Sequence, residues 1–279
     1  MRIESLIKQL QNRTHGGALR TTAIIFASLA VASLLLLSAY TALYKYPQDS
    51  IHQMGRIGIP EQIISLIFAR DEFVLMHLGY YHFGGKGEYD LAATESYFRR
   101  ALLLAPEEQM IHFNLARVAF LRSRFNEAIR LTIEEERLNP NLDRIYYLRG
   151  LIYGYDKKFP EAEAAFLEFN RRQPDTWAGH VDLAWIYFQQ GKYAKVKSTI
   201  EEILPYQNNA WLQNSYGLAL LNLGEKERAR VAFLEAKELA ANLTPERWGV
   251  AYGGNDPAFY ERGLTEMRMS IEGNLGLTH

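Results

Sequence analysis

The sequence predicts an all-α protein in which a single transmembrane helix precedes a solenoid of stacked helix pairs. Two observations carry this prediction. An uncharged segment, rich in Leu and Ala and free of Pro and Gly, runs from Thr21 to Tyr44. After it, small, aromatic and proline residues recur at intervals of about 34 positions, a period typical of helical repeat proteins. The length of 279 residues agrees with one or two domains.

The segment 21–44 is long enough to be a transmembrane helix. At about 1.5 Å per residue, a helix of this length crosses a hydrocarbon core about 30 Å thick. Tyr40, Tyr44 and Tyr46 at its C-terminal end suit the membrane interface. A cleaved signal peptide is the alternative, because residues 30–32 (Ala-Val-Ala) resemble a cleavage site. The apolar run continues past them, which favours an uncleaved signal anchor.

Lys and Arg are concentrated before this segment. Four basic residues precede it and two follow soon after it: Arg2, Lys8, Arg13 and Arg20, then Lys45 and Arg56. Because positively charged flanks remain in the cytoplasm, we expect a cytoplasmic N-terminus and an extracytoplasmic remainder. The chain would then be a single-pass protein of an inner or plasma membrane, with its repeats in the periplasm of a double-membrane bacterium.

The flanks of the segment are predicted to be a head and a linker. Residues 1–20 contain the apolar stripe of an amphipathic helix, formed by Ile3, Leu6, Ile7 and Leu10. This helix would lie on the anionic cytoplasmic leaflet or dock on a cytoplasmic partner. Residues 45–60 are predicted to be a linker because they hold two prolines and two glycines: Pro47, Gly55, Gly58 and Pro60.

Three series of matching residues repeat at a spacing of 34: Pro106, Pro140 and Pro174; Phe125, Phe159 and Tyr193; Ala116, Gly150 and Ala184. The pattern resembles the tetratricopeptide repeat, in which a first helix with small and aromatic positions is followed by a Gly turn, a second helix with aromatics and Ala, and a closing Pro. The fullest match is 143–176. Further units are 109–142, 177–209, 210–243 and, with a short insertion, about 72–108.

The resemblance implies a right-handed α-solenoid of about five repeats over residues 61–243, because one helix pair cannot bury its apolar face alone. Residues 61–82 are predicted to be one long helix or a degenerate half-repeat. Residues 244–279 are predicted to form capping helices, one of them over 257–272, with Thr244 and Asp256 as N-caps.

Composition and motifs argue against several other classes of protein. The chain has no Cys, which excludes disulfides, Cys-ligated metals and thiol catalysis. Its net charge of −1 argues against a general nucleic-acid binder. The run Gly84–Gly87 lacks the Ser or Thr of a phosphate-binding loop, and the acidic runs 134–136 and 201–202 are predicted to be solvated helix faces. We therefore expect a non-enzymatic protein without a metal or cofactor.

The resemblance also implies a concave groove lined by the first helices of the repeats. Transferred to this sequence, the groove positions are predicted to bind a protein or peptide partner: Phe113, Asn114, Arg117, Phe120, Arg144, Tyr147, Tyr155, Asp182, Trp185, Phe188, Trp211 and Asn214. Aromatic and Arg side chains are typical of interaction hot spots. The alternative is that these side chains pack against neighbouring repeats or against a C-terminal helix folded into the groove.

The expected function is a membrane-anchored scaffold or adaptor for protein–protein interactions in the assembly, export or maturation of an envelope or membrane complex. The alternative is a constitutive subunit of a large membrane machine, such as a secretion, pilus or respiratory assembly. In that case the transmembrane helix would also contact other transmembrane subunits.

Overall fold

The structure, a computed structural model, describes residues 25–26, 28–31, 33–34, 37–84, 87–251 and 254–279. The chain forms two compact units. The first unit ends at Ile67, and the second runs from Phe68 to His279.

The predicted membrane segment belongs to the first unit. Its described residues from 25 onward are helical, and large apolar side chains on them are exposed, including Phe26 at 68% and Leu34 at 66%. Over the described ranges, no helix combines the length and the apolar character needed to cross a membrane. Residues 21–24, 27, 32 and 35–36 of the predicted segment, and the whole predicted head, lie outside those ranges. The anchor and the head therefore stay predictions.

The structure differs from the predicted linker over 45–60, because most of this stretch is helical. Helix α1 (Pro47–Arg56) begins with Pro in its first turn, where the missing N–H removes no hydrogen bond. Asp49 in the first turn and Arg56 in the last suit the helix dipole. Gly58, at φ +86°, then follows the end of the helix. Pro and Gly thus mark the boundaries of a helix here rather than an irregular segment.

Residues 61–82 form two helices rather than one long helix. Helix α2 (Glu61–Ile67) ends the first unit. Helix α3 (Glu72–His82) starts afresh in the second unit, with the Asp71 side chain accepting a 3.0 Å hydrogen bond from the Val74 N–H.

The described residues of the second unit form five successive helix pairs, one for each predicted repeat. They are α3 with α4 (Leu91–Leu104), α5 (Ile111–Leu121) with α6 (Phe125–Leu138), α7 (Arg144–Tyr155) with α8 (Phe159–Arg172), α9 (Trp177–Gln189) with α10 (Tyr193–Ile203), and α11 (Ala210–Asn222) with α12 (Lys226–Ala241). The two helices of each pair contact each other. The first helices α5, α7, α9 and α11 also contact one another in sequence, which places them side by side along one face.

In the first, third and fifth repeats, a glycine of the first helix packs against a buried Phe of the second helix. A Cβ added at Gly150 would lie 2.6 Å from the Phe166 ring, and one at Gly217 would lie 2.5 Å from the Phe233 ring. Both rings are fully buried. The glycines let the helices approach until the rings fill the space between them, which explains why a small residue recurs at this position.

The prolines that mark the period lie just after the second helices. Helices α4, α6 and α8 end at Leu104, Leu138 and Arg172, two residues before Pro106, Pro140 and Pro174. The residue between has a non-helical backbone in each case, as expected for a residue that precedes Pro.

The C-terminal segment packs against the last helix pair. Thr244 caps α13 (Pro245–Val250), and Asp256 caps a 3₁₀ turn (Pro257–Phe259). Helix α14 (Tyr260–Gly276) follows, so the predicted helix begins later and ends later than 257–272. Ile271 packs on Ala236 and Ala240 of α12.

Candidate binding groove

The first helices enclose a cavity of about 420 Å³, called here the groove cavity. Its walls come from α5, α7, α9 and α11, with two residues, Ala251 and Asn255, from the C-terminal segment. Residues on α9 show how helical periodicity builds the wall. Ala178, Val181, Asp182 and Trp185 are spaced three and four apart, so they share one face of the helix.

Nine of the twelve predicted groove residues line this cavity. They are Phe113, Arg117, Phe120, Arg144, Tyr147, Tyr155, Asp182, Trp185 and Trp211. Their part in binding stays a prediction, but the resemblance to the repeat family did identify side chains that the fold brings together.

The other three predicted residues are engaged elsewhere. Asn114 is 1% exposed, donates to the Tyr80 hydroxyl at 2.9 Å and accepts from Arg117 at 3.1 Å, so it positions the arginine. Phe188 packs on Tyr193 and the hydrophobic core. Asn214 accepts a 3.0 Å hydrogen bond from Asn274 of α14, an interaction that no repeat pattern could reveal.

Two arginines form the basic end of the cavity. The Arg117 guanidinium lies 4.3 Å from the centre of the Phe83 ring, and that of Arg144 lies 5.5 Å from the Phe113 ring, distances suited to cation–π contact. Burial, and then the charge of Arg144, lower the pKa of Arg117 to about 10. Arg117 therefore remains protonated at neutral pH, and the two guanidinium groups make this end of the cavity favourable for an anion.

Asp182 provides an acidic group farther along the cavity. Its carboxylate accepts a 2.7 Å hydrogen bond from the Tyr147 hydroxyl. Burial raises the pKa of Asp182 to about 6, although the hydrogen bond from Tyr147 opposes this shift. The carboxylate is thus ionised at pH 7, at a cost in folding free energy.

Aromatic rings cover much of the remaining wall. The Tyr155 ring lies 5.4 Å from that of Phe120 and 5.3 Å from that of Trp185. Trp177 and Trp211 lie 5.2 Å apart with their planes 30° from parallel. Trp177 was not predicted from the sequence. Its position at the start of a first helix, next to the predicted groove positions, was the feature that could have indicated it.

The C-terminal segment narrows the cavity without filling it. Ala251 and Asn255 line one side, and α14 packs mainly against α12. The alternative, in which predicted groove residues pack on neighbouring repeats or on a C-terminal helix, holds for individual side chains: Tyr155 packs on Trp185 of the next repeat, and Asn214 bonds Asn274 of α14. The segment contributes a wall and leaves an open volume.

Possible metal ligands are scattered rather than clustered. Within the part of the chain that the structure describes, no group of three or more His, Asp or Glu side chains is arranged to hold a metal ion.

The Gly84 end of the Gly84–Gly87 run lies in a turn between α3 and α4 at φ +82°, and residues 85–86 lie outside the described ranges.

Comparison with solved structures shows the same kind of fold in other proteins. A crystal structure of the protein MamA superimposes with a TM-score of 0.53 at 16% identity, covering 63% of this chain and 98% of that one. A thermophilic tetratricopeptide repeat protein of Thermus thermophilus gives 0.52 at 16% identity, covering 73% and 98%. A tetratricopeptide repeat protein from Parabacteroides merdae gives 0.56 at 16% identity, covering 84% and 90%. At these identities the likeness shows the fold alone.

Sequence comparison agrees with the structural one. No curated protein matches the chain closely enough to count as a relative. Sequence profiles described as tetratricopeptide repeat match residues 81–142, 147–195 and 212–243, together about half of the 279 residues. These are the helix pairs described above, and the chain therefore belongs to the tetratricopeptide repeat family.

Proposed function

We propose that this protein is an adaptor that binds an extended segment of a protein partner in the groove cavity. The observation that carries the proposal is the cavity itself: about 420 Å³, walled by aromatic side chains, with charged groups at separate places in it. Desolvated aromatic and Arg side chains in a concave site supply most of the binding energy in protein interfaces. A carboxylate of the bound segment would lie at Arg117 and Arg144.

The second part of the proposal is that residues 21–44 hold the adaptor in a membrane, with the N-terminus in the cytoplasm and the repeats outside it. Two features support it: the uncharged apolar stretch with basic residues before it, and the exposure of its described apolar side chains, such as Ile25 at 53% and Leu37 at 59%. Exposed apolar surface of this kind requires a lipid or protein contact.

Site-specific photocrosslinking in native membranes tests the adaptor function. A photoreactive phenylalanine analogue replaces Val181, which lines the cavity, or Val231, which is 64% exposed on α12. We expect a crosslinked partner from position 181 and not from position 231. The crosslink should disappear when Arg117→Glu and Trp185→Ala are added.

A matched pair of substitutions away from the cavity provides the control. Arg130→Glu plus Tyr206→Ala makes the same charge reversal and likewise removes an aromatic ring, both at exposed positions, and should leave the crosslink intact. Circular dichroism checks that both double variants are folded. If a fixed set of proteins copurifies with all variants and position 181 gives no crosslink, the protein is a structural subunit of a membrane machine rather than an adaptor.

A further inference from the structure

We propose that Asp182, together with the rings of Tyr155 and Trp185, forms a pocket for a cationic side chain, Lys or Arg, of the bound segment. This inference rests on the proposed function and specifies the chemistry of the partner. It concerns the middle of the groove cavity, away from the arginine pair.

The first argument is that Asp182 has fewer polar partners than other shielded carboxylates of the solenoid. The buried Glu135 also binds no cation among the described residues, but it accepts two hydrogen bonds from backbone N–H groups. Glu95 binds Arg99 and Arg124, each at 2.7 Å, and Glu163 binds Lys195 at 3.1 Å. Asp182, in contrast, receives a hydrogen bond from Tyr147, and over the described ranges no Lys, Arg or His lies close enough to pair with it. A desolvated carboxylate with one hydrogen bond and no cation is costly unless a ligand supplies further partners.

The second argument is the composition of the wall around this carboxylate. Trp185 lies one helical turn from Asp182 on α9, and its ring contacts that of Tyr155. Tyr155 and Asp182 line the same cavity, and burial, followed by the Asp182 charge, raises the pKa of Tyr155. A cation beside Asp182 would therefore also lie near the faces of Tyr and Trp rings, which attract organic cations.

A metal ion is a poor fit for the same pocket. Calcium and magnesium require several oxygen ligands, whereas no metal-binding group of acidic or His residues occurs among the described residues. An ammonium or guanidinium group needs one carboxylate and is also stabilised by the rings. The chemistry of the pocket thus points to a basic side chain of a peptide.

The arrangement of helices also sets a distance between two features of the bound segment. Arg117, Arg144 and Asp182 lie on the successive first helices α5, α7 and α9, and packed helices are about 8–10 Å apart. An extended chain advances about 3.3 Å per residue. We therefore expect a basic residue roughly three to six positions from an acidic residue or a terminal carboxylate.

Peptide selection with the full chain tests the pocket. The protein, reconstituted in lipid nanodiscs at pH 7.5, selects binders from a random peptide library displayed on phage. Wild type is compared with Asp182→Asn, which retains an oxygen to accept the Tyr147 hydrogen bond, and with Asp175→Asn at an exposed position. We expect Lys or Arg to be enriched at one peptide position for wild type and for Asp175→Asn, and this enrichment to be lost with Asp182→Asn.

A substitution in the peptide gives a second test that needs no variant of the protein. Replacing the selected Lys by norleucine removes the charge and keeps the chain length. Affinity for wild type should fall about tenfold or more, as for loss of a charge-assisted hydrogen bond, while affinity for Asp182→Asn should change less than about twofold.

The possible results separate this inference from the proposed function. Peptides that lose binding with Arg117→Glu plus Trp185→Ala but carry no enriched basic residue would overturn the cation pocket and leave groove binding intact. Failure to select any groove-dependent peptide would overturn the proposed function, and this inference with it.

Discussion

The Tyr89 hydroxyl donates a 2.6 Å hydrogen bond to the carbonyl oxygen of Gly254, which lies 165 positions later in the chain. This bond joins the first repeat to the C-terminal segment. Burial, and then the Asp256 carboxylate, raise the pKa of Tyr89 to about 12, so the hydroxyl keeps its proton. Gly254 has φ +103°, and a Cβ there would lie 2.8 Å from Arg117. A glycine therefore lets the segment pass close to the basic end of the groove.

Tyr89→Phe should lower the free energy of unfolding by about 1 kcal/mol, because it removes one hydrogen bond and leaves a shielded carbonyl without its donor. It should also accelerate amide hydrogen exchange in residues 254–259. Urea unfolding followed by circular dichroism, and hydrogen exchange by mass spectrometry, measure the two effects. Tyr206→Phe, at a side chain that is 76% exposed, is the control. Equal effects of the two substitutions would show that the Tyr89 hydrogen bond does not hold the C-terminal segment in place.

Gly150→Ala should destabilise the third repeat by about 1–3 kcal/mol, the usual cost of overpacking, because the new Cβ would lie 2.6 Å from Phe166. Gly273→Ala on α14 meets nothing within 4 Å and should instead stabilise by about 0.5–1 kcal/mol through helix propensity. Urea midpoints measure both. The essential result is that the two stability changes have opposite signs, because a general preference for Ala over Gly in helices would make both substitutions stabilising.

The fourth repeat suggests how to rescue the destabilised variant. There the small residue is Ala184, and the position equivalent to Phe166 is the fully buried Ile200. Adding Phe166→Ile to Gly150→Ala should therefore recover part of the lost stability, whereas Phe166→Ile alone should be destabilising. If the double variant loses as much unfolding free energy as the two single variants together, the two positions do not compensate for each other in volume.

Recurring contacts explain why the repeats could be predicted from the sequence. The period records contacts that recur in several helix pairs, such as Gly150 with Phe166 and Gly217 with Phe233, and the ends of the second helices follow from the Pro positions. The head and the complete membrane segment were also predicted, but they lie outside the described residues in whole or in part.

Contacts that occur once could not be predicted in this way. The run 134–136 was predicted to be solvated, and this is wrong for Glu135, which is 0% exposed. Its carboxylate accepts hydrogen bonds from the N–H groups of Met110 and Phe113 at 2.7 and 3.1 Å, at the start of α5. Likewise, Ala251 and Asn255 enter the groove wall from a segment outside the repeats. Charge and periodicity do not reveal such long-range partners.

In the ligand-free protein, Asp182→Asn should raise the free energy of unfolding at neutral pH but not at acidic pH. The pKa of Asp182 is about 6 in the folded protein, against an ordinary value of 3.8. Between these values the folded state binds more protons than the unfolded state, so stability decreases as pH rises through this range and the full cost is present above about pH 6. A shift of this size corresponds to roughly 3 kcal/mol at most.

We therefore expect Asp182→Asn to raise the free energy of unfolding by about 1–3 kcal/mol at pH 7.5 and by almost nothing below pH 4. Urea unfolding at the two pH values measures the difference. Asp175→Asn, at an exposed position, should change little at either pH. An equal gain at both pH values would mean that the carboxylate charge is not the cause.

The proposed topology predicts which positions are accessible from outside the cell. Because the chain has no Cys, a single introduced Cys reports its own location. Tyr206→Cys, at a position that is 76% exposed on the solenoid, should react with a membrane-impermeant maleimide in intact bacterial spheroplasts, since the positive flank of residues 21–44 should hold the N-terminus in the cytoplasm. Ser5→Cys should react only after lysis, and the Cys-free wild type corrects for background labelling. Reaction of Tyr206→Cys only after lysis would place the repeats in the cytoplasm and restrict the search for partners to that compartment.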